Sequence, residues 1–539
     1  MRYVSAVIVV AFVGLACAMC HRMDIPLTEG DPPTDADSDT DSDTDVDSDT
    51  DSDTDVDSDT DADTDGEVVD PVHLGTTFWA IDLDNAESEY DAAAASLVGL
   101  CVANPGEDDV TVTVEMNEAE YGDPAVVTLV ETLAVGAGNV EVIELPRRDA
   151  DGDNVTDGVD DGPQTQLAPR AFKVTSSGPV AVSQHNPLTP QQSNDSSLLL
   201  PVGILVDGYE VLGYSPGWPV DLEMFPAHNR SYVTILGTET GTWVTVTPTC
   251  DIVDGEEVME AGASYTFELG PFDMLNLETV LISYVEFEYD DPPDCTGTIV
   301  EATAPVAVFS GVDLASVEVQ VDETCCAEHL EEQLMGVSYT GTDFVIPASP
   351  QKNISSGHEP ELVRILAIED ASMTTTLPPG DVGFSLAKGQ HVDVVVTAGF
   401  AVESSGRLVI GQLMSGRTLN DQGIGDASLT LVPPVSARPT YTYFGVPDDG
   451  MDSYRVVISA PSGASLSLDG DTLGGCEERD DGELDGVEYS SWDCEVPPGL
   501  HSVLGGPDLD QAFTRVGVFV YGYSTAGTWA HPGGIAAAP

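Results

Sequence analysis

Basic residues are scarce in this chain: Lys and Arg total 16 against 95 Asp and Glu in 539 residues, a formal net charge of -79 at pH 7. So acidic a surface repels phosphates, which excludes nucleic acid as a partner and anionic lipid headgroups as a docking surface. Cations and basic partners are favoured instead. Past the N-terminal segment, no apolar run is long enough to cross a bilayer as a helix. Histidines are few and scattered without metal-ligand spacing, so His185 and His228 read as turn or interface residues. No CxxC pair supports zinc at Cys325, Cys326 and His329. Helical periodicity is also nearly absent. Only "AEHLEEQLM", Ala327 to Met335, reads as a helix of more than two turns.

What is present begins with an export signal. Met1-Arg2 is a short basic start, followed by the apolar stretch Val4 to Leu15 and then "VGLACAMC". The segment resembles a bacterial lipoprotein signal, in which the Cys after the cleavage site is acylated. Cys17 fits, with Leu15-Ala16 before it. Gly14 departs from the usual large aliphatic residue, so Cys20 stays open as the alternative. The residue after Cys17 is Ala18 and not the Asp that resembles an inner-membrane retention signal. The expected location is therefore the outer membrane, reached by a lipid anchor only.

Asp occupies every odd position from Asp35 to Asp65, sixteen in all, alternating with Ser, Thr, Val or Ala. Such a run has no apolar face to bury, and its like charges extend it. Residues 21–72 are expected to be a disordered acidic stalk, within which Asp31 to Pro71 reaches on the order of 100 Å at about 3 Å per residue. The competing reading, a calcium sponge, needs only weak screening and no defined site.

From His73 onward, period-two alternation recurs in a Val-, Thr-, Gly- and Pro-rich background, as in "DVTVTVEM" and "TWVTVTPT". One order of elements appears four times. An aromatic strand opens each unit: "TFWAIDLDN", "YEVLGYSPG", "DFVIPASPQ", "YTYFGVPDD". A strand, turn and strand follow, and a pair ending in an apolar strand closes it, as in "FKVTSSGPVAVSQHNP" or "IVEATAPVAVFSGVD". The expected fold is all-β, with tandem β-sandwich-like units at 73–195, 196–325, 326–430 and 431–539 after a signal at 1–20. A single β-propeller is the alternative.

Three constellations carry possible chemistry. "DADGDNVTDGVDD" places Asp149, Asp151, Asp153, Asp157 and Asp160 at positions 1, 3, 5, 9 and 12 of a calcium-type loop, where oxygen ligands wrap a hard cation. A stabilising Ca²⁺ is expected there, against the plainer reading of a solvated acidic turn. "GYSPG", Gly213 to Gly217, matches the G-x-S-x-G nucleophile elbow. Pro216 and Pro219 break the helix that motif needs, so no catalytic residue is assigned and Ser215 is only a remote hydrolase candidate. In an oxidising compartment Cys476 and Cys494 are a plausible disulfide, and Cys250 with Cys295 could be a second. The partners of Cys101, Cys325 and Cys326 stay open.

Two segments carry a family resemblance: "AFKVTSSGPVAVSQHNPLTPQQSNDSSLLLPV" from Ala171 and "TCCAEHLEEQLMGVSYTGTDFVIP" from Thr324. Both resemble the IgGFc-binding protein N-terminal domain family, including its paired Cys and short acidic helix. The resemblance implies a secreted domain of mucin-associated animal proteins, with relatives among bacterial surface lipoproteins, and no catalytic residues. It identifies no residue that binds IgG. The functional expectation is a cell-surface binding or adhesion lipoprotein, not an enzyme, recognising a protein or glycan. A structural envelope component without a soluble ligand is the alternative.

Overall fold

The computed structural model describes residues 68–86, 93–152, 164–188, 193–216, 221–222, 225–226, 229–255, 257–280, 293–317, 319, 327–352, 359–377, 382–416, 423–507, 513–525 and 527–537. The signal, Cys17, Cys20, Asp35 to Asp65, Cys325 and Cys326 lie outside them. Among the described residues the fold is all-β: strands joined by turns and short 3-10 segments, with no α-helix.

One topology is built four times. In the first repeat the strand Phe172–Asn186 belongs to two layers. Its first half pairs with the opening strand Gly75–Ala80 and with Val110–Asn117, which continues to the edge strand Val127–Val135. Its second half pairs with Gly99–Ala103, which continues to Val140–Glu144, and with Asp195–Leu198. The second and third repeats copy this around Ile299–Ala315 and Phe400–Met414. In the fourth repeat the long strand is split into Gly499–Gly505 and Gly517–Tyr523, and each piece keeps the partners of its half.

The long strand turns a corner between layers, and small or ring-closed residues, with Arg407 the exception, make the corner. Gly75 pairs with Val180 while Thr77 pairs with Thr175, so four residues of the long strand oppose one of the opening strand. The same four-against-one step recurs at Val306/Glu301 and at Leu408/Glu403. The bulging residues are Ser176-Ser177-Gly178-Pro179, Ala302-Thr303-Ala304-Pro305 and Ser404-Ser405-Gly406-Arg407. A proline there gives up an N–H that no ladder needs. A Cβ on Gly406 would sit 2.5 Å from the Asp370 carbonyl oxygen, so the third corner demands glycine.

Each sandwich closes over an aromatic of its opening strand. Phe78, Tyr209, Phe344 and Phe444 are all essentially buried. Burying one such ring contributes about 1.5–3 kcal/mol.

The repeats form a ring. The strands Asp195–Leu198, Glu328–Gln333, Ser428–Leu431 and Thr528–Pro532, one from each repeat, pack first on second, second on third, third on fourth and fourth on first. By their pairing, Asp195–Leu198 and Glu328–Gln333 belong to the first and second repeats, past the ends expected at 195 and 325. The N-terminal segment helps close it. Val72 donates its N–H to Ile535 O at 2.8 Å, Thr440 N donates to Val69 O at 3.0 Å, and the Tyr441 hydroxyl donates to Asp70 at 2.9 Å.

The expected helix at Ala327 to Met335 is instead the inner strand Glu328–Gln333 of the second repeat, with all six residues buried. Helix propensity loses here to tertiary hydrogen bonding. Glu328 accepts the Asn194 N–H at 2.5 Å, Glu332 accepts the Leu431 N–H at 3.1 Å and Gln333 accepts the Leu200 N–H at 2.8 Å. Those side chains satisfy donors that a helix would have left to water.

Candidate functional site

Three polar constellations stand out. The first surrounds Asp149 and Asp151. The chain leaves the opening strand at Ala80 and runs alongside the segment after Val140–Glu144. There Ala150 N donates to Asp82 O at 2.9 Å and Arg148 N donates to the Asp82 carboxylate at 2.6 Å. This brings Asp84, Asp149 and Asp151 together, all buried, with one ligand oxygen from each within 4.8 Å of the others. Arg147 lies 3.4 Å from Asp149 and also donates to Ala94 O at 2.5 Å. Burial pushes Asp84 well above the usual carboxylate range, and Asp313, Asp151, Glu278 and Asp149 add to it. Burial also raises Asp149, with Asp151 and Asp82 adding and Arg147 opposing. A hard cation would offset that mutual repulsion. Oxygens on a Ca²⁺ shell lie at most roughly 5 Å apart, so the spacing suits the ion, and carboxylates are its preferred donors. Asp153, Asp157 and Asp160 lie outside the described residues. Asp84 comes from 65 residues before Asp149, so no loop motif includes it; its only sequence signal is the paired Asp in the apolar run "FWAIDLDNA".

The second constellation is the ring's axis. The Asp195 carboxylate accepts N–H groups of Glu331 at 3.2 Å, Leu429 at 3.0 Å and Ala530 at 3.3 Å, and the Ser428 hydroxyl at 2.9 Å. One side chain of the first repeat thus binds the other three. Glu331 accepts the Ser197 hydroxyl at 3.1 Å. His185 hydrogen-bonds Ser183 at 3.0 Å and meets Trp529 edge-on at 4.9 Å, which places it at the first–fourth junction. His228 lies outside the described residues.

The third is a cleft of 720 Å³ between the third and fourth repeats, with a neighbouring one of 320 Å³. Asp343, Thr374, Glu403 and Asp485 are on its walls.

The disulfides Cys250–Cys295 and Cys476–Cys494 are both formed. Cys101 is a buried thiol, which burial pushes up to about 12. Ser215 is half-buried in a segment outside any strand. Its neighbour Gly213 exchanges hydrogen bonds with the Thr296 hydroxyl at 3.1 and 3.0 Å, while the Tyr214 ring carries the Arg364 guanidinium at 4.7 Å. Among the described residues the surroundings of Ser215 are strands, and residues 217–220, where an elbow's helix would begin, lie outside them. No described helix is long and apolar enough to cross a membrane.

Residues 195–522 match the family model described as IgGFc binding protein, and the chain belongs to that family. The description is one of binding and not of catalysis. No curated protein matches. A solved structure titled as a Ca²⁺-stabilized adhesin that helps an Antarctic bacterium reach out and bind ice aligns at 12% identity over 86% of this chain and 98% of its own. Its TM-score is 0.09, and a likeness of that size carries no argument about the fold.

Proposed function

We propose that the chain is an exported surface lipoprotein. The lipid sits on Cys17, with Cys20 the alternative, Asp35 to Asp65 is a stalk, and the ring is a binding head for a protein or glycan. The observation that carries this reading is family membership across 195–522 in a fold whose polar axis is sealed while an open cleft remains between two repeats. A protein ligand suits the family's description better than a glycan does. Ca²⁺ at Asp84, Asp149 and Asp151, with Asp153, Asp157 and Asp160 supplying further oxygens, has a stabilising role in it.

The test is a protein and glycan array probed with the purified full-length chain, alongside fractionation of cells that express it. The reading expects a saturable ligand and detergent-released membrane protein that becomes soluble in Cys17→Ser or Cys20→Ser. A folded chain with no saturable ligand on the array would favour an envelope component instead. Secretion into the medium unaffected by either substitution would remove the anchor.

A further inference from the structure

The cleft between the third and fourth repeats has the chemistry of a basic-peptide groove. Its floor is the sheet of the third repeat, and its overhang is the hairpin of Glu477–Leu484 and Val487–Glu495 from the fourth. Asp485 and Gly486 join the hairpin, both left-handed at φ 47° and 77°, as a two-residue type I′ turn needs. The tip is pinned where Asp485 N donates to a Glu403 carboxylate oxygen at 2.6 Å. Deeper in, Val345 and Ala401 pack with Leu484 and Tyr489 as an apolar plug.

At the mouth, Asp343 and Glu403 lie directly opposite each other in the antiparallel pair of Gly341–Ile346 with Phe400–Met414, and Thr374 opposes Glu403 from the other side. All three are exposed. Like charges opposed across a strand pair cost stability, and a cation between them converts that cost into attraction. Asp485 and Glu483 bring two more carboxylates to the walls of the joined clefts. The cation among the described lining residues, Arg515, donates to Ser436 O at 2.9 Å and Arg438 O at 2.8 Å. The Ser372 and Thr374 hydroxyls can hydrogen-bond a peptide main chain, and Val435 and Val487 can cover the methylene stems of Lys or Arg.

We infer that this cleft binds an extended, Lys- or Arg-bearing polypeptide segment. The inference rests on the binding-head reading and names the partner's chemistry. A volume of 720 Å³ exceeds what one ion needs. A neutral glycan would gain little from four carboxylates and would want an exposed ring to stack on, whereas the lining aromatic, Tyr489, is only 8% exposed.

The test uses the full-length chain at physiological salt and a short synthetic peptide alternating arginine and glycine, fitted with a photoreactive group. Crosslinks should map to the cleft, and affinity should fall about tenfold in D343N/E403Q, the size expected from two exposed charge pairs. Both substitutions keep the shape, and the side-chain amide introduced by E403Q still offers an oxygen to Asp485 N. The charge-matched control E131Q/E141Q, on the first repeat, should bind as the parent does. Equal loss in the control, crosslinks confined to the stalk, or undiminished binding by D343N/E403Q overturns the inference. A neutral oligosaccharide that displaces the peptide and is itself lost in D343N/E403Q also overturns it, in favour of a glycan. An array ligand that still binds D343N/E403Q leaves the binding head standing and removes only the cleft.

Discussion

Asp195 and Leu429 are 234 residues apart, yet the Asp195 carboxylate accepts the Leu429 N–H at 3.0 Å, directly across the axis of the ring. The same carboxylate serves main-chain donors of the second and fourth repeats. Asp195→Ala would leave several buried N–H groups unsatisfied. Its expected cost is a few kcal/mol, since each buried donor left without a partner costs about 1–3 kcal/mol. Asp195→Asn keeps one acceptor oxygen and should cost less. Chemical denaturation midpoints measure the difference, and equal losses would show that the carboxylate is not the tie.

The axis also makes stability depend on pH. Burial raises the Glu331 carboxyl from 4.5 to about 8, and it raises Asp195 and Glu332 as well. Because the folded pKa lies above the unfolded one, the folded state holds more protons. The stabilising contribution is complete below pH 4.5, declines as pH rises and is gone once pH passes about 8. Melting temperature should therefore fall from mildly acidic to mildly alkaline buffer. In Glu331→Gln the slope should flatten across that window. An unchanged slope in the variant would mean that Glu331 is not what titrates.

Losing the Cys250–Cys295 bond should cost more stability than losing Cys476–Cys494. Cys250–Cys295 spans 45 residues and Cys476–Cys494 spans 18. On the chain-entropy account these are worth about 4 and about 3 kcal/mol. Paired Cys→Ala variants, compared by denaturant midpoint, should keep that order; the reverse order would count against it.

Calcium should raise the melting temperature through the Asp84, Asp149 and Asp151 cluster. A ligand of the folded state alone adds about 2.7 kcal/mol at a hundredfold excess over Kd. The run Asp35 to Asp65 would also screen Ca²⁺ weakly, so the informative quantity is the difference between the parent and Asp84→Asn/Asp151→Asn, both carrying that run. The double variant should lose most of the calcium-dependent rise. An equal rise in both would leave the cluster as an arginine-buffered acidic knot.

The repeat pattern was legible because an aromatic marks each opening strand and the same order of elements follows it, whereas the closing pair proved to be one long strand that changes layers at "SSGP", "TAP" and "SSGR". The ring was not legible, because its inner strands carry no strand pattern of their own. "EHLEEQ" reads as a helix until Asn194, Leu200 and Leu431 supply the donors that its side chains accept. Asp149 and Asp151 were visible through their spacing, whereas Asp84 was invisible because its neighbours arrive from another segment. The Asp343–Glu403 pair needs the register of two strands sixty residues apart, which spacing alone does not give.

The central claim is that the four repeats act as one closed body and not as beads on a string. Scanning calorimetry of the full-length chain, followed in parallel by hydrogen exchange of the buried strands Gly99–Ala103 in the first repeat and Gly517–Tyr523 in the fourth, tests it most directly. The ring predicts a single transition reported alike by both repeats, and a shift of the whole transition in Asp195→Ala. Separate transitions, with Asp195→Ala lowering only the first repeat, would contradict it.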